Sequence, residues 1–109
     1  MSRAKGNIAE ALAVDFLLAK GYSIVEQNFY SRFGEIDIIA ICDDVLHFIE
    51  VKSGLDYESA IQNITPSKIR KLTKTIDVYL KKNALHVTYE LDAITVVNSE
   101  CEFLESITL

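Results

Sequence analysis

Three residues in the middle of the chain combine side chains that suit metal and phosphate chemistry. Glu50 and Lys52 lie two positions apart, directly after an apolar run at residues 45–49. On a β-strand this spacing directs both side chains to one face, about 7 Å apart. Asp37 lies among isoleucines in the preceding apolar run. An antiparallel hairpin that turns at residues 43–44 places Asp37 opposite Glu50, so the sequence predicts two facing carboxylates beside an amine.

Two facing carboxylates repel one another unless a proton or a cation lies between them. Carboxylate oxygens without a His or Cys partner are the ligands that Mg²⁺ and Mn²⁺ prefer, so Asp37 and Glu50 are candidate ligands for such an ion. Lys52 could position or deprotonate a water, or neutralise charge on a phosphate. The alternative is a structural ion pair in which Lys52 only neutralises Glu50, and the spacing alone is compatible with both interpretations.

Two more residues are candidates for the same site. Glu10 shares one helical stripe with Ala13 and Leu17, which predicts a buried carboxylate that needs a partner such as a metal or Lys52. The alternative is an exposed glutamate near a helix N-terminus, where the dipole favours it. Lys68 falls in the first turn of a later helix, where a cation is disfavoured unless an anion is near. Its alternative is a solvated lysine on a basic helix.

The elements that must position these residues follow from periodicity and turn signals. Residues 4–20 predict a helix in which Ile8, Leu12 and Phe16 recur at helical spacing, and Gly21 supplies its end. Three strand-like runs follow it, and their short connections indicate an antiparallel meander. These runs are residues 22–29, 34–42 and 45–52.

The second half of the chain predicts a loop, a helix and a strand. Residues 53–64 are poorly patterned and are expected to form a loop. A helix then begins with Thr65 as N-cap and Pro66 in the first position, and ends at Asn83. The strand at residues 87–97 follows this crossover helix, so we expect it to run parallel to the third strand.

These elements predict an α/β fold with a mixed central sheet and flanking helices, in the order helix, three-strand antiparallel meander, helix, strand. The tail at residues 101–109 is expected to add a short edge strand. With 109 residues, half of them apolar, the chain is expected to form a single domain over residues 1–109.

The composition also indicates the compartment. No apolar run reaches the roughly 18 residues of a membrane span, and the basic N-terminal segment is followed by a helix that Glu10 and Asp15 interrupt, unlike a signal peptide. We therefore expect a cytoplasmic protein without membrane contact. Cys42 and Cys101 are isolated thiols, which we expect to be reduced and not to hold zinc.

The net charge of -5 is unusual for a nucleic-acid-binding protein, which usually carries excess Lys and Arg. The charge is nevertheless unevenly distributed, because residues 65–82 contain most of the basic side chains and a single acid. A locally basic face can contact phosphates on an acidic protein. The predicted phosphate contacts are Lys68, Arg70, Lys71 and Lys74, with Arg32 from the first hairpin.

The order Glu10, then Gly34-Glu35-Ile36-Asp37, then Glu50-Val51-Lys52 resembles the PD-(D/E)xK nuclease superfamily. More closely, the chain resembles the YraN-like family of uncharacterised bacterial proteins. The resemblance spans about residues 6–97, nearly the whole chain. Its other motifs are Gly6-Asn7-Ile8-Ala9-Glu10, Gly21-Tyr22, Asn28, Lys68 and Tyr79-Leu80.

This resemblance implies a restriction-endonuclease-like core, a nucleic-acid substrate and a divalent metal. The implied metal ligands are Asp37, Glu50 and the Val51 carbonyl, with Lys52 as the catalytic lysine and Glu10 as an auxiliary acid. Archaeal Holliday junction resolvases have a similar layout, which makes branched DNA a conceivable substrate and a homodimer a reasonable assembly.

The chain departs from the family pattern at two places. Ser53-Gly54-Leu55 follows the Glu-Val-Lys motif where the family usually has a basic residue, and Phe29-Tyr30 replaces a basic residue after Asn28. Both changes remove expected backbone contacts, in agreement with the acidic net charge.

The leading hypothesis is a Mg²⁺- or Mn²⁺-dependent nuclease that acts on DNA in preference to RNA, with structured or branched DNA as one substrate form. A second hypothesis is a non-catalytic nucleic-acid-binding module on the same fold. A third is a structural or interaction protein in which the carboxylates and the lysine form an ion-pair network.

Overall fold

The computed structural model describes the backbone of residues 3–107 and the side chains of residues 7–107. The described residues form a five-stranded mixed sheet in the order β1-β2-β3-β4-β5, flanked by helices. In chain order the elements are α1 (Arg3–Ala19), β1 (Ser23–Ser31), β2 (Gly34–Cys42), β3 (Val45–Ser53), α2 (Tyr57–Ile61), α3 (Pro66–Lys82), β4 (Tyr89–Val97) and β5 (Glu100–Leu104).

The predicted meander and the parallel fourth strand are confirmed. Strands β1, β2 and β3 pair antiparallel, β4 runs parallel to β3, and β5 pairs antiparallel with β4. Asp43 and Asp44 both have positive φ angles, 50° and 64°, as a two-residue hairpin turn that follows the strand twist requires. The resulting register pairs Ile38 with Ile49, so the next position along places Asp37 opposite Glu50.

Helix α3 begins and ends as its sequence predicts. The Thr65 hydroxyl accepts a hydrogen bond of 3.2 Å from the Lys68 backbone N–H, Pro66 occupies the first turn, and Asn83 is the C-cap. The apolar stripe of α3 packs against one face of the sheet. This core contains Ile69, Leu72, Ile76 and Tyr79 of the helix with Phe29, Ile36, Ile39, Leu46, Phe48 and Leu91 of the strands.

Helix α1 covers the opposite face of the sheet. Its buried residues are Ala9, Ala13 and Leu17, which pack against Ile38, Ala40, Ile49, Val51, Ile94 and Val96. Of the three apolar residues that recur at helical spacing, Leu12 and Phe16 are partly buried and pack against this core, whereas Ile8 is 63% exposed. Within the described part of the chain, no helix combines the length and the apolar character that a bilayer span requires.

The predicted loop at residues 53–64 is wrong in its centre, where the short helix α2 forms. The Asp56 carboxylate caps this helix and accepts a hydrogen bond of 2.7 Å from the Ser59 N–H. Ala60 is its only buried residue, so five residues leave too short an apolar pattern to detect. The predicted edge strand is confirmed as β5, although residues 108–109 of that prediction lie outside the described residues.

Candidate metal centre

A cleft of about 490 Å³ opens where α1, the first three strands and α3 meet. The chain brings predicted site residues from four separate segments to this cleft, because the hairpin register aligns β2 with β3 and the helices lie across the sheet. The predicted residues that line it are Glu10, Asp37, Glu50, Val51, Lys52, Lys68 and Lys71.

Asp37 is buried, and its carboxylate Oδ2 accepts a hydrogen bond of 2.8 Å from the Val51 backbone N–H. Burial raises the pKa of this carboxyl to about 8, the negative charge of Glu50 adds to the increase, and the Val51 hydrogen bond opposes it. Both causes of the increase disfavour the charged form. The Asp37 carboxyl therefore binds its proton more tightly than an exposed aspartate does.

Glu50 and Lys52 point to the same face of β3, as their spacing predicts. Glu50 is buried, and its Oε1 lies 3.2 Å from the half-buried Lys52 Nζ. Burial lowers the pKa of Lys52, but a side-chain hydrogen bond with Lys68 and the charges of Glu50 and Asp37 together raise it above its usual value. Lys52 is thus held as a cation beside both carboxylates.

Lys68 reaches this cluster from the first turn of α3. A side-chain hydrogen bond with Lys52 lowers the pKa of Lys68, and burial lowers it further. The pKa of Lys68 therefore lies below its usual value, whereas that of Lys52 lies above it. A cation in the first turn of a helix predicts nearby anions, and here these are Glu50 and Asp37. Their negative charges partly offset the decrease in the pKa of Lys68.

Glu10 extends the cluster from α1. Its side chain is half-buried and lines the cleft, where the sequence predicted a buried one. Its negative charge and that of Glu35 both contribute to the raised pKa of Asp37. Acidic groups from α1, β2 and β3 therefore surround one small volume, and this arrangement favours a cation.

The remaining predicted phosphate contacts divide into two groups. The Arg32 Cζ lies 4.8 Å, and the Lys74 Nζ 5.4 Å, from the centre of the Phe33 ring, and Phe33 lines the cleft. Arg70 is exposed on α3 and does not line the cleft, so the structure does not bring it to the acidic cluster.

Sequence reasoning assigned no site role to Asn28, Tyr30 and Phe33, which also line the cleft. Asn28 adopts a positive φ of 56° within β1, a conformation that Asn tolerates better than most residues. It lies opposite Asp37 in the β1–β2 register. The signal available for Asn28 was its place among the motifs of the YraN-like resemblance.

A second group of ligand-type side chains lies away from this cleft. The His47 Nδ1 and the Asp92 Oδ2 share a hydrogen bond of 2.6 Å, and Glu90 Oε2 lies 3.7 Å from the same nitrogen. All three carry atoms that could ligate a metal. The other oxygen of Asp92 accepts a hydrogen bond of 2.8 Å from the Ser106 N–H. The fully buried Asp92 is therefore already satisfied, and it ties the C-terminal segment to β4.

His47 itself is buried. Its ring contacts Tyr22 and Phe103, with ring centroids 5.1 and 6.4 Å apart. Those two aromatic residues pack against the core beneath α1. The His47–Asp92 pair thus lies on the α1 side of the sheet, opposite to Glu50 and Lys52.

The fold and the cleft define a class of protein: an α/β domain in which two strands of a hairpin bring an aspartate, a glutamate and a lysine into one partly buried acidic cleft. Within that class the chain belongs to a family described as "Uncharacterised protein family UPF0102", whose sequence model matches residues 9–96. This membership confirms the resemblance to the YraN-like family.

Similar relatives carry the same family name, and this chain aligns with nearly all of their length. The UPF0102 protein of Sulfurimonas denitrificans is 67% identical over 109 residues, which cover 100% of both chains. That of Helicobacter hepaticus is 56% identical, over 99% of this chain and 97% of the relative. That of Aliarcobacter butzleri is 50% identical over 100% of both chains.

Proposed function

We propose that this protein is a metal-dependent nuclease on a restriction-endonuclease-like core, which hydrolyses phosphodiester bonds of nucleic acids with Mg²⁺ or Mn²⁺. One observation carries the proposal: Asp37 and Glu50 lie in the same cleft, where the charge of Glu50 helps to raise the pKa of Asp37, and Lys52 lies 3.2 Å from Glu50. Two carboxylates that repel one another favour the binding of a shared cation, and a neighbouring ammonium favours the binding of a phosphate.

The available donors fit a hard divalent ion. The carboxylates of Asp37 and Glu50 and the Val51 carbonyl are all oxygen ligands, which Mg²⁺ and Mn²⁺ prefer. A cation between the two carboxylates would also replace the proton that burial and Glu50 impose on Asp37. When bound, the ion supplies Lewis-acid stabilisation of phosphate charge and a more acidic water.

The protein side chains provide orientation and charge. The Val51 N–H fixes one oxygen of Asp37 at 2.8 Å, which restricts the rotation of a ligand in the way that second-sphere hydrogen bonds do. Glu50 holds the Lys52 ammonium at 3.2 Å, where it can neutralise charge that develops on a scissile phosphate. Lys68 and Lys71 line the same cleft and would bind the phosphate that is cleaved or its neighbour.

A cleavage assay on the purified full chain tests this proposal. Labelled single-stranded, duplex and branched DNA, and single-stranded RNA, are incubated with Mg²⁺, Mn²⁺ or EDTA. We expect cleavage that needs the metal, favours DNA and falls about a hundredfold or more in Asp37→Asn, Glu50→Gln and Lys52→Met. The matched controls are Asp15→Asn on the exposed face of α1 and Lys20→Met just after that helix, and both should retain activity.

Two outcomes would contradict the nuclease proposal. The first is no cleavage of any substrate with either metal. The second is cleavage that persists in Asp37→Asn and Glu50→Gln, which would indicate a contaminating nuclease. Binding of nucleic acid that survives Asp37→Asn without any cleavage would favour the non-catalytic binding module instead.

A further inference from the structure

We infer that the wall of the cleft formed by the β1–β2 hairpin is a subsite for an unpaired nucleotide, with Tyr30 as the surface on which its base stacks. The inference rests on the proposed function and specifies its substrate class: nucleic acid with a single-stranded segment at the cleft. Three features of this wall support the inference: the exposed ring of Tyr30, the cations beside Phe33 and the hydrogen bonds that anchor the hairpin to α3.

Tyr30 presents an aromatic side chain at the lining of the acidic cleft. It is 65% exposed, although it belongs to a strand of the sheet. Its partner in the antiparallel register is Glu35, which lines the same wall. The Glu35 carboxylate would repel a phosphate placed here, whereas it would not repel a neutral base. The position therefore suits a base, and stacking on an aromatic ring accepts every base because each has a π-face.

Two cations lie beside this wall and are held in place by Phe33. The Arg32 guanidinium and the Lys74 ammonium lie 4.8 and 5.4 Å from the Phe33 ring centre. Cations at this distance from an aromatic ring are attracted to its face. Because Arg32 comes from the hairpin and Lys74 from α3, the ring gathers positive charge from both elements at the edge of the cleft. This charge would meet the backbone phosphate that follows the stacked base.

The hairpin that carries these groups is anchored to α3. The Ser31 Oγ lies 2.8 Å from the Thr75 Oγ1, and Thr75 also donates to the Lys71 carbonyl. The Phe33 N–H donates to the Ser31 hydroxyl at 3.0 Å. Thr75 is fully buried, so the wall is fixed before substrate binds. A hairpin backbone that is already anchored has less conformational entropy to lose when a base binds.

The overall charge of the chain makes a stacking contribution necessary. With a net charge of -5, long-range attraction of a polyanion is weak, and only a few basic residues lie at the cleft. A base can stack on Tyr30 only after it has left a duplex or when it was never paired. Affinity should therefore depend more on the unpaired base than on the number of phosphates.

Fluorescence anisotropy with labelled DNA of equal length, single-stranded or blunt duplex, tests the subsite in the presence of Ca²⁺ as a probe metal. We expect Tyr30→Ala to weaken single-strand binding about five- to a hundredfold and duplex binding less than about twofold, while Tyr30→Phe retains the affinity. Tyr57→Ala, on α2 and outside the cleft, is the matched control. The salt dependence for single strands should be shallow, with a logarithmic slope of about -3.

The two proposals fail in different ways. Equal loss of single-strand and duplex affinity in Tyr30→Ala, or no loss of either, would overturn the stacking subsite even if the protein cleaves DNA. Selective single-strand binding that requires Tyr30, without any cleavage, would support the subsite and overturn only the nuclease reaction. No binding of either DNA form would overturn the subsite.

Discussion

The carboxyl of Asp37 makes folding depend on pH. Its ordinary pKa is 3.8, and burial together with Glu50 raises the folded-state pKa to about 8. Below the lower value both states hold the proton, so Asp37 has no net effect on stability. As the pH rises above it, the unfolded chain releases the proton and the folded chain does not, which destabilises the fold progressively until about pH 8. The proposed metal ligand Asp37 thus lowers the stability of the metal-free protein.

Replacement of Asp37 by asparagine should remove this penalty. The amide oxygen of the new side chain can still accept the Val51 N–H bond, so Asp37→Asn keeps the contact and loses only the titration. We expect urea denaturation in EDTA to show a stabilised variant at about pH 8 and almost no change at about pH 4. Asp15→Asn, on the exposed face of α1, should show no such pH dependence. An equal effect at both pH values would contradict the raised pKa.

The cleft residues whose positions depend on strand spacing and on a short turn could be predicted from the sequence. The two-residue spacing of Glu50 and Lys52 fixes their common face, and the turn at Asp43-Asp44 fixes the register that brings Asp37 to them. The sequence did not predict the pair of His47 and Asp92. Those residues lie 45 positions apart and meet through a parallel pairing whose register no short turn determines.

Among the elements, the β4 strand and the C-terminal segment depend on one buried polar pair. Asp92 is fully buried and accepts hydrogen bonds from His47 and from the Ser106 N–H. The Ile107 N–H also donates to the Leu91 carbonyl at 2.8 Å. The C-terminal segment after β5 is thereby attached to β4, so its stability should follow the state of this pair.

His47→Ala should destabilise the protein strongly because it leaves the Asp92 carboxylate buried without its partner. Removal of a hydrogen-bond partner that leaves a buried polar group unsatisfied costs about 1–3 kcal/mol, and more when that group is charged. Denaturation should show this loss, and hydrogen exchange of the Ser106 and Ile107 amides should accelerate. Glu102→Gln, an exposed change on β5, is the control. A loss below about 1 kcal/mol with unchanged exchange would show that the pair does not hold the segment.

The short helix α2 depends on a close approach to the end of β3. A Cβ atom at Gly54 would lie 2.8 Å from the Ala60 backbone nitrogen, a contact that requires the backbone to move. We expect Gly54→Ala to destabilise the protein by about 1–3 kcal/mol in urea denaturation. The adjacent Leu55→Ala, at a site 93% exposed, should be nearly neutral. If both variants had the same stability, the approach would not be a constraint.

How well each element could be predicted from the sequence depended on the length of its apolar pattern and on the residues that mark its ends. Helix α3 was predicted with its caps because Thr65, Pro66 and Asn83 are strong local signals and its apolar stripe is long. In α1 the buried face consists of Ala9, Ala13 and Leu17, and the stripe of Glu10, Ala13 and Leu17 predicts most of it. Helix α2 was missed because a five-residue helix has little periodicity.

At the scale of the whole molecule, metal binding should stabilise the fold. An ion that binds only the folded protein stabilises it by about 2.7 kcal/mol at about a hundred times its Kd. Because binding displaces the proton of Asp37, the effect should grow from about pH 6 to about pH 8. We expect Mn²⁺ to raise the Tm of the wild type but not of Glu50→Gln. A rise of Tm that is equal in both proteins would indicate binding elsewhere.

Asp37 and Glu50 are proposed to bind one divalent cation between them. Anomalous scattering from a crystal soaked in Mn²⁺ at about pH 8, where Asp37 loses its proton most readily, tests this claim most directly. We predict a peak between these carboxylates, next to the Val51 carbonyl, and no peak there in crystals of Glu50→Gln. A peak only at the His47, Glu90 and Asp92 group, or no peak in the wild-type crystal, would contradict the claim.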